Sequence, residues 1–467
     1  MLGKRFSQIL IHANAISMKQ KNSRQASVQQ NKDTVNWKKN ILKRRKFVLG
    51  GLSFAFTLFS GCAVLAAPKS IPDLAVPPQL INYDPSGQIR FRTASEADAK
   101  RLELISFIWS TGLPTNTLPS VMTNIGSAVF AGDLSGLNGS LAASVDKLDA
   151  NIAPYDFHGI CYLVHPLAVN ANNRRLVVVN SGHRPGGKTS APFSYGVNDT
   201  VNRLLSEGFK VLMTDMPLVG FNTHRTVVLP NAGGTVTLSQ RGTAGHNEMF
   251  TKLTPPVLPD GTIFRFFLEP MVQGVNYFLS VTPDVLDVSF IGISGGGWTG
   301  HMLAALDTRI KQSFPVAGSY PLYIRHTVQT SDDTEQTYAP LYSEIATKNT
   351  NGILDTAAGV ASWLEIYALG GYGPGRRQIQ ILNYYDTCCF FGGTFTTYTN
   401  FVSNIVEGLG HGRWDFYSDT SLTNHWISSN VINNVIMPGL NSSSGAPTKG
   451  SAGGNKRSAK KTLPRKD

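Results

Sequence analysis

One stretch of the 467-residue sequence decides the fold: Val288-Ser289-Phe290-Ile291-Gly292-Ile293-Ser294-Gly295-Gly296-Gly297-Trp298. Its apolar first half predicts a buried strand, and residues 298–307 predict a helix. The pattern Gly-x-Ser-x-Gly between them places Ser294 on a tight turn, where large neighbours would clash. The first N–H groups of such a helix stabilise a negative charge that develops beside the serine. This context predicts that Ser294 is a nucleophile; the alternative is a glycine-rich turn that merely closes a βα unit.

Short apolar runs recur on both sides of this stretch. They predict further strands at 160–164, 176–179, 210–214, 313–317, 378–384 and 413–417. Helical patterns lie between or before them, among them a helix capped at Ser95 that extends to Trp109 and another over 199–207. Alternation of this kind predicts an α/β fold in which a mostly parallel sheet is covered by helices on both faces.

The motif around Ser294 resembles that of the α/β-hydrolase superfamily, and the resemblance covers about 155–437. The helix that runs on to Asp307, and the segment Asn383-Tyr384-Tyr385-Asp386-Thr387-Cys388-Cys389-Phe390, are similar to secreted esterases, nearest to dienelactone-hydrolase and acetyl-esterase relatives. The resemblance implies a serine hydrolase that cleaves carboxylic esters through an acyl-enzyme, without a metal or organic cofactor. The expected partner is a small-molecule or polymer ester substrate.

In that superfamily the catalytic residues follow the order serine, acid, histidine. Asp386 directly ends the apolar strand 378–385, and His425 opens a helix-like segment at 427–437. We therefore expect Asp386 and His425 to complete a triad with Ser294. Other carboxylates compete for the role of the acid, namely Asp415, Asp419 and the run 332–335. His411 is the main rival of His425.

The oxyanion hole follows from the same comparison. One donor is expected to be the backbone N–H of Gly295, the residue after the nucleophile. The other should come from the loop 180–187. The superfamily often has His-Gly in this loop, whereas this chain has Gly182-His183. We expect His183 to be the donor, with Gly182 as an open alternative and a purely structural role for His183 as another. Trp298 and Tyr385 could line an aromatic substrate pocket, although aromatic residues there are as often part of the packing. The long segment 221–280 is a possible lid.

The net charge of +12 is concentrated at the two ends of the chain. Residues 1–67 carry 12 basic residues and one acidic residue, and residues 441–467 carry seven basic residues and one acidic residue. Residues 68–440 hold 23 basic and 28 acidic residues. A nucleic-acid binder needs its basic residues on the folded face that meets phosphate, so this class of function is excluded.

The N-terminal region predicts export. The basic run Lys43-Arg44-Arg45-Lys46 precedes an apolar stretch at 48–60 and small residues, which is the order of a secretory signal. Arg44-Arg45 resembles a twin-arginine signal. Cys62 lies in a near-lipobox, residues 65–67 offer an ordinary cleavage site instead, and 47–67 could remain as a membrane anchor. The expected location is therefore periplasmic, outer-membrane-attached as a lipoprotein, or extracellular.

These observations divide the chain into four parts: a basic region with an export signal (1–67), a linker with a helical extension (68–154), a catalytic domain (155–440) and a disordered basic tail (441–467). After export Cys161, Cys388 and Cys389 would remain. Cys161 could pair with either neighbour, the two adjacent cysteines could pair with each other, or all could be buried thiols. No spacing of cysteines and histidines indicates a zinc site.

Overall fold

The computed structural model describes residues 74–183, 193–328, 333–343, 346–348, 354–356 and 359–442, with only the backbone of the two short internal segments 346–348 and 354–356. The predicted export signal, Cys62, the tail from 443 onward, Asp332 and the loop residues 184–187 lie outside these residues. Within the described part of the chain, no helix combines the length and the apolar character needed to cross a membrane.

Among the described residues, nine strands form the central sheet and four short strands form two hairpins. In chain order the strands are β1 (Ser120–Met122), β2 (Ala142–Ile152), β3 (Phe157–Pro166), β4 (Arg175–Asn180), β5 (Lys210–Thr214), β6 (Thr226–Val228), β7 (Thr235–Thr237), β8 (Asp287–Ile293), β9 (Ile310–Val316), β10 (Ala346–Lys348), β11 (Leu354–Thr356), β12 (Arg377–Asn383) and β13 (Arg413–Asp419). Strands β4 and β8 are buried along their whole length, as expected for the centre of a sheet that is covered on both faces.

The order of the strands in the sheet is β1-β2-β3-β5-β4-β8-β9-β12-β13. The pairings among β1, β2, β3 and β5 are antiparallel, and every pairing from β5 to β13 is parallel. The carboxyl ends of the parallel strands therefore open at one edge of the sheet. In open α/β sheets this is the edge at which ligands bind.

The helices are α1 (Ala94–Ile108), α2 (Val197–Ser206), α3 (Gly242–Lys252), α4 (Ile263–Val281), α5 (Gly295–Leu306), α6 (Leu322–Val328), α7 (Thr334–Thr337), α8 (Trp363–Gly371), α9 (Thr399–Gly408), α10 (Ser429–Val431) and α11 (Met437–Asn441), with a π-helical segment at Ile432–Ile436. They cover both faces of the sheet. Gly370 of α8 packs on Gln378, which donates a hydrogen bond to Ser313 of β9, whereas Gly439 of α11 packs on Phe314. Because successive strand residues point to opposite faces, α8 and α11 lie on opposite sides of the sheet.

All of the strands predicted from apolar runs are present, and the predicted α/β architecture is confirmed. The domain boundary at 155 is wrong, because β2 pairs with β3 along its whole length. The helical extension is also part of this unit: α1 begins at a capping box of Thr93 and Glu96 rather than at Ser95, and Arg101 donates to the carbonyl oxygen of Ala305. The sequence missed β2 because its central residues include charged side chains, among them Asp146 and Lys147.

The prediction of a lid over 221–280 is wrong for its second half. Helix α4 is apolar and largely buried, and it packs against β2 and β3. A methyl group on Gly159 of β3 would lie 2.3 Å from Pro270, which shows how closely α4 approaches the sheet. Helix α4 therefore belongs to the core. Only the hairpin β6–β7 and helix α3 remain as elements added between β5 and the core helix.

Candidate active site

The chain has the α/β-hydrolase fold: an antiparallel β3 joins a parallel sheet in which β4 and β5 are exchanged, and a Gly-x-Ser-x-Gly turn connects β8 to α5. In this fold the turn after the central strand displays its serine at the carboxyl edge of the sheet. The side chains at the carboxyl ends of the parallel strands therefore surround Ser294.

Ser294 occupies a strained position between β8 and α5. Its backbone has φ 59° and ψ −130°, a combination that a residue other than glycine rarely adopts and that is concentrated at functional sites. The flanking glycines of the motif have no room for a side chain. A methyl group on Gly292 would lie 2.3 Å from the carbonyl oxygen of Gly296, and one on Gly296 would lie 2.1 Å from that of Asn180. The close packing predicted from the sequence is present.

Asp386 and His425 form a hydrogen-bonded pair at the same edge. The distance between His425 Nδ1 and Asp386 Oδ2 is 2.7 Å, and the carboxylate is fully buried. The other oxygen, Oδ1, accepts hydrogen bonds from the backbone N–H groups of Cys388 at 2.7 Å and Cys389 at 3.3 Å. With both oxygens engaged, the carboxylate can hold the imidazole in one orientation and with its proton on Nδ1.

The loop that carries His425 is anchored on both sides of this residue. The side-chain amide of Asn383, the last residue of β12, donates to the carbonyl oxygens of Asn424 at 3.3 Å and Trp426 at 2.9 Å. The ring of Tyr195 packs edge-on against the imidazole, with 5.5 Å between the ring centroids. Burial, followed by the charge of Asp386, raises the pKa of Tyr195. The sequence had not identified Asn383 or Tyr195, because their role depends on a loop distant in the chain.

Ser294 and His425 do not form a hydrogen bond with each other. Nε2 of His425 is buried, and neither it nor the hydroxyl of Ser294 has a hydrogen-bond partner among the described residues. Ser294 itself is partly exposed. Such hydrogen bonds are often long in the absence of substrate, so the open geometry is compatible with a base that engages when substrate binds.

The rival acids have other partners. Asp415 forms ion pairs with Arg377 at 2.6 Å and Arg413 at 2.7 Å. Asp419 accepts hydrogen bonds from the hydroxyl of Ser428 at 2.6 Å and from the backbone N–H of Ser421 at 3.1 Å. Both carboxylates therefore stabilise local structure. Neither contacts His425.

The other candidates for the catalytic base, His411 and His301, are less suitably placed than His425 to take the proton of Ser294. His411 is exposed in the turn that precedes β13, and hence lies at the opposite edge of the sheet from the carboxyl ends. His301 is fully buried in α5, where its Nδ1 lies 2.9 Å from Oε1 of Gln378. Burial lowers the pKa of His301 to about 3, which makes this residue a poor base.

The loop after β4 lies directly against the serine turn. Gly182 has φ +67°, and a methyl group there would lie 2.5 Å from the carbonyl oxygen of Ile293 and 2.8 Å from the nitrogen of Gly295. The N–H of Gly182 donates to Asn180 Oδ1 at 2.9 Å. The N–H groups of Gly295 and His183 form no hydrogen bond with any described residue. Both are therefore available as backbone donors beside the turn.

The two aromatic residues assigned to a substrate pocket differ in their surroundings. Trp298 is fully buried, donates from its indole N–H to Tyr342 at 2.9 Å and packs edge-on against Phe267. The prediction that Trp298 contacts substrate is therefore wrong, since it belongs to the core. Tyr385 is partly exposed and packs edge-on against Tyr384. A contact between Tyr385 and substrate stays a prediction.

Of the alternatives for the cysteines, the structure contains the bond between neighbours, Cys388–Cys389. This disulfide lies in the loop whose N–H groups bind Asp386. Cys161 is a free, buried thiol on β3, so its pairing with either of the other two is wrong. Burial, followed by the charge of Asp215, raises the pKa of the Cys161 thiol well above its usual range.

Comparisons with known proteins add similarities of fold. No protein-family model and no curated protein matches the sequence. Among solved structures, an acetyl xylan esterase from Paenibacillus sp. R4 is 14% identical with a TM-score of 0.47, over 78% of this chain and 99% of that one. A methylesterase is 15% identical with a TM-score of 0.46, over 73% of this chain and 62% of that one, less than two thirds of its length. A glucuronoyl esterase from Caldicellulosiruptor kristjansonii is 14% identical with a TM-score of 0.42, over 73% and 83%.

Proposed function

We propose that the protein is a serine hydrolase that cleaves carboxylic esters. One observation carries the proposal: a serine in a strained strand-to-helix turn shares a sheet edge with a histidine whose Nδ1 is bound by a buried, doubly anchored carboxylate. A lone histidine or a lone Gly-x-Ser-x-Gly turn would have ordinary structural explanations. Their combination at the carboxyl edge of this fold is the arrangement that activates a serine hydroxyl.

The mechanism assigns one step to each group. Nε2 of His425 takes the proton of Ser294 as its Oγ attacks the ester carbonyl carbon, and Asp386 stabilises the resulting imidazolium. The backbone N–H groups of Gly295 and His183 stabilise the negative oxygen of the tetrahedral intermediate. The imidazolium then gives its proton to the departing alcohol, which leaves an acyl group on Ser294. A water molecule then attacks the acyl carbon while His425 takes its proton. The bond between this carbon and Ser294 Oγ breaks, the imidazolium returns the proton to Oγ, and the carboxylic acid is released.

The same triad could serve a peptidase or an acyltransferase, because all three activities share an acyl-enzyme. A non-catalytic binding module with a hydrolase-like fold is a third candidate. A fixed pair of acid and histidine beside an exposed serine has no evident use in binding alone, whereas a catalytic triad requires an oriented base. We therefore favour an enzyme, and we favour ester hydrolysis from the resemblance in sequence to esterases. The substrate is a small-molecule or polymer ester, with Tyr385 in contact with it.

A fluorophosphonate probe tests this proposal on the full-length protein. We expect stoichiometric labelling and an adduct on the Ser294 peptide in mass spectrometry, because the probe mimics the tetrahedral intermediate and reacts only with activated serines. Panels of esters and amides of the same acids should then show hydrolysis of the esters. Failure of the folded protein to react with the probe would overturn the assignment of an enzyme, and faster hydrolysis of amides than of esters would favour a peptidase.

We also propose that the protein is exported through residues 43–67, which lie outside the described residues. Fractionation of cells that express the full chain should find it outside the cytoplasm. The double substitution Arg44→Lys/Arg45→Lys should abolish export, because the twin-arginine route reads this pair of residues. Replacing the basic pair Lys38 and Lys39 with arginine is the matched control and should leave export intact. Unchanged export of the Arg44/Arg45 variant would indicate the general secretion route instead. Contact with a membrane is expected only for a form lipidated at Cys62 or still anchored by 47–67.

A further inference from the structure

The partly buried His183 and the fully buried His246 and Glu335 form a cluster of two histidines and a glutamate. The distances between possible ligand atoms are 2.9 Å from His183 Nε2 to His246 Nδ1, 3.2 Å from His183 Nε2 to Glu335 Oε1, and 3.5 Å from His246 Nδ1 to Glu335 Oε1. The three residues come from different elements: the loop after β4, helix α3 and helix α7. None of these three side chains takes part in the proposed catalytic mechanism.

The protons available do not satisfy this cluster. Nε2 of His246 lies 2.8 Å from the carbonyl oxygen of Pro217, so it carries a proton and donates it there. With Nε2 as the donor, Nδ1 is the ring nitrogen of His246 that is left to act as an acceptor or a ligand, and it faces Nε2 of His183. Nε2 of His183 carries at most one proton. This proton would have to be shared between Nδ1 of His246 and the carboxylate of Glu335.

Glu335 makes this lack of hydrogen-bond donors energetically unfavourable. Its side chain is fully buried, and neither carboxylate oxygen has a partner in hydrogen-bonding geometry among the described residues. A buried carboxylate without a hydrogen-bond donor is costly, and a cation bound between it and the two imidazoles would remove this cost.

The spacing fits a metal ion. Nitrogen and oxygen ligands about 2.1 Å from a tetrahedral ion are about 3.4 Å from one another, and those of an octahedral ion are about 3.0 Å apart. The observed 2.9, 3.2 and 3.5 Å span these values. The hydrogen bond from His246 to Pro217 is also of the kind that orients a metal-binding imidazole and fixes its tautomer.

We propose that His183, His246 and Glu335 bind a divalent transition-metal ion, with Zn²⁺ as the ion that two imidazoles and one carboxylate favour. The sequence did not indicate this site, because His183 and His246 are 63 residues apart and no short spacing relates them to Glu335. The ion would tie the loop after β4 to helices α3 and α7. The ring of His183 also adjoins the serine turn, since a methyl group on Gly295 would lie 2.9 Å from His183 Nδ1.

Metal analysis of the full-length protein tests the site without reference to any activity. After growth with Zn²⁺ and extensive dialysis we expect about one metal ion per chain. Glu335→Gln and His246→Ala should weaken binding at least about 100-fold, because each removes a ligand. His224→Ala is the matched control. His224 is a partly buried histidine of the same insertion, and its Nε2 lies 2.7 Å from the backbone carbonyl oxygen of Thr226 rather than in the cluster.

A second measurement keeps the test decisive if a variant does not fold. Chelated wild-type protein should recover its metal on addition of Zn²⁺, with a rise in Tm, and Co²⁺ should give the visible absorption bands of a protein-bound ion. Wild-type protein with no stoichiometric metal, no rise in Tm and no cobalt bands would overturn the proposal. The cluster would then be a hydrogen-bonded network that holds an additional proton.

Discussion

Replacing Ser294 with alanine should lower ester turnover by about 10³-fold or more, with the folded state intact. The hydroxyl of Ser294 forms no hydrogen bond with a described residue, so its loss leaves no buried group unpaired. Alanine also adds no bulk to the crowded turn between Gly292 and Gly296. The expected loss is therefore one of chemistry, measured as kcat on an ester substrate, with substrate binding by the variant measured separately by titration.

The matched control for Ser294→Ala is Ser289→Ala. Ser289 lies on the same strand, β8, is fully buried and has a hydroxyl without a partner among the described residues. Its replacement should leave turnover and Tm close to wild type. Turnover by Ser294→Ala within a few-fold of wild type would contradict the assignment of the nucleophile, and an equal loss in both variants would indicate a general effect on the fold.

The buried part of the sheet could be predicted from the sequence because burial on both faces produces continuous apolar runs. Val288–Ile293 and Leu176–Val179 have this character, and the structure places both in the middle of the sheet. β2 lies near the edge and carries Asp146 and Lys147 among its central residues, so it does not produce such a run. The pattern therefore predicts the centre of the sheet and the edge strand β13, but not the antiparallel strands β1 and β2 at the other edge.

Contacts between residues that are distant in the chain limited how much of the candidate site could be predicted from the sequence. The order serine, acid, histidine predicted the contact between Asp386 and His425, because the fold constrains where these residues lie. Nothing in the local sequence of Trp298 distinguishes a pocket residue from a core residue; the contact with Tyr342 decides the matter. The same holds for His246 and Glu335, whose proximity depends on how two insertions pack.

Asp386→Asn should lower turnover by about 10⁴-fold, by the same physical argument as in serine proteases. The asparagine can retain the hydrogen bonds from the N–H groups of Cys388 and Cys389, so the loop should keep its shape. Its amide would, however, donate to Nδ1 of His425. The imidazole would then carry its proton on Nε2 and could not accept one from Ser294. Burial of the carboxylate strengthens the effect, since no water can substitute for the lost charge.

Asp419→Asn provides the comparison that makes this prediction specific. Asp419 is as fully buried as Asp386, and lies at the end of the neighbouring strand β13, but it binds Ser421, Ser428 and Asn430 instead of a histidine. Its replacement should weaken these hydrogen bonds, at a cost of about 1–3 kcal/mol in the free energy of unfolding, and change kcat only a few-fold. We therefore expect the first variant to lose activity at nearly constant Tm and the second to lose Tm at nearly constant activity. The reverse ranking of the two kcat values, with both proteins folded, would move the catalytic acid from Asp386 to Asp419.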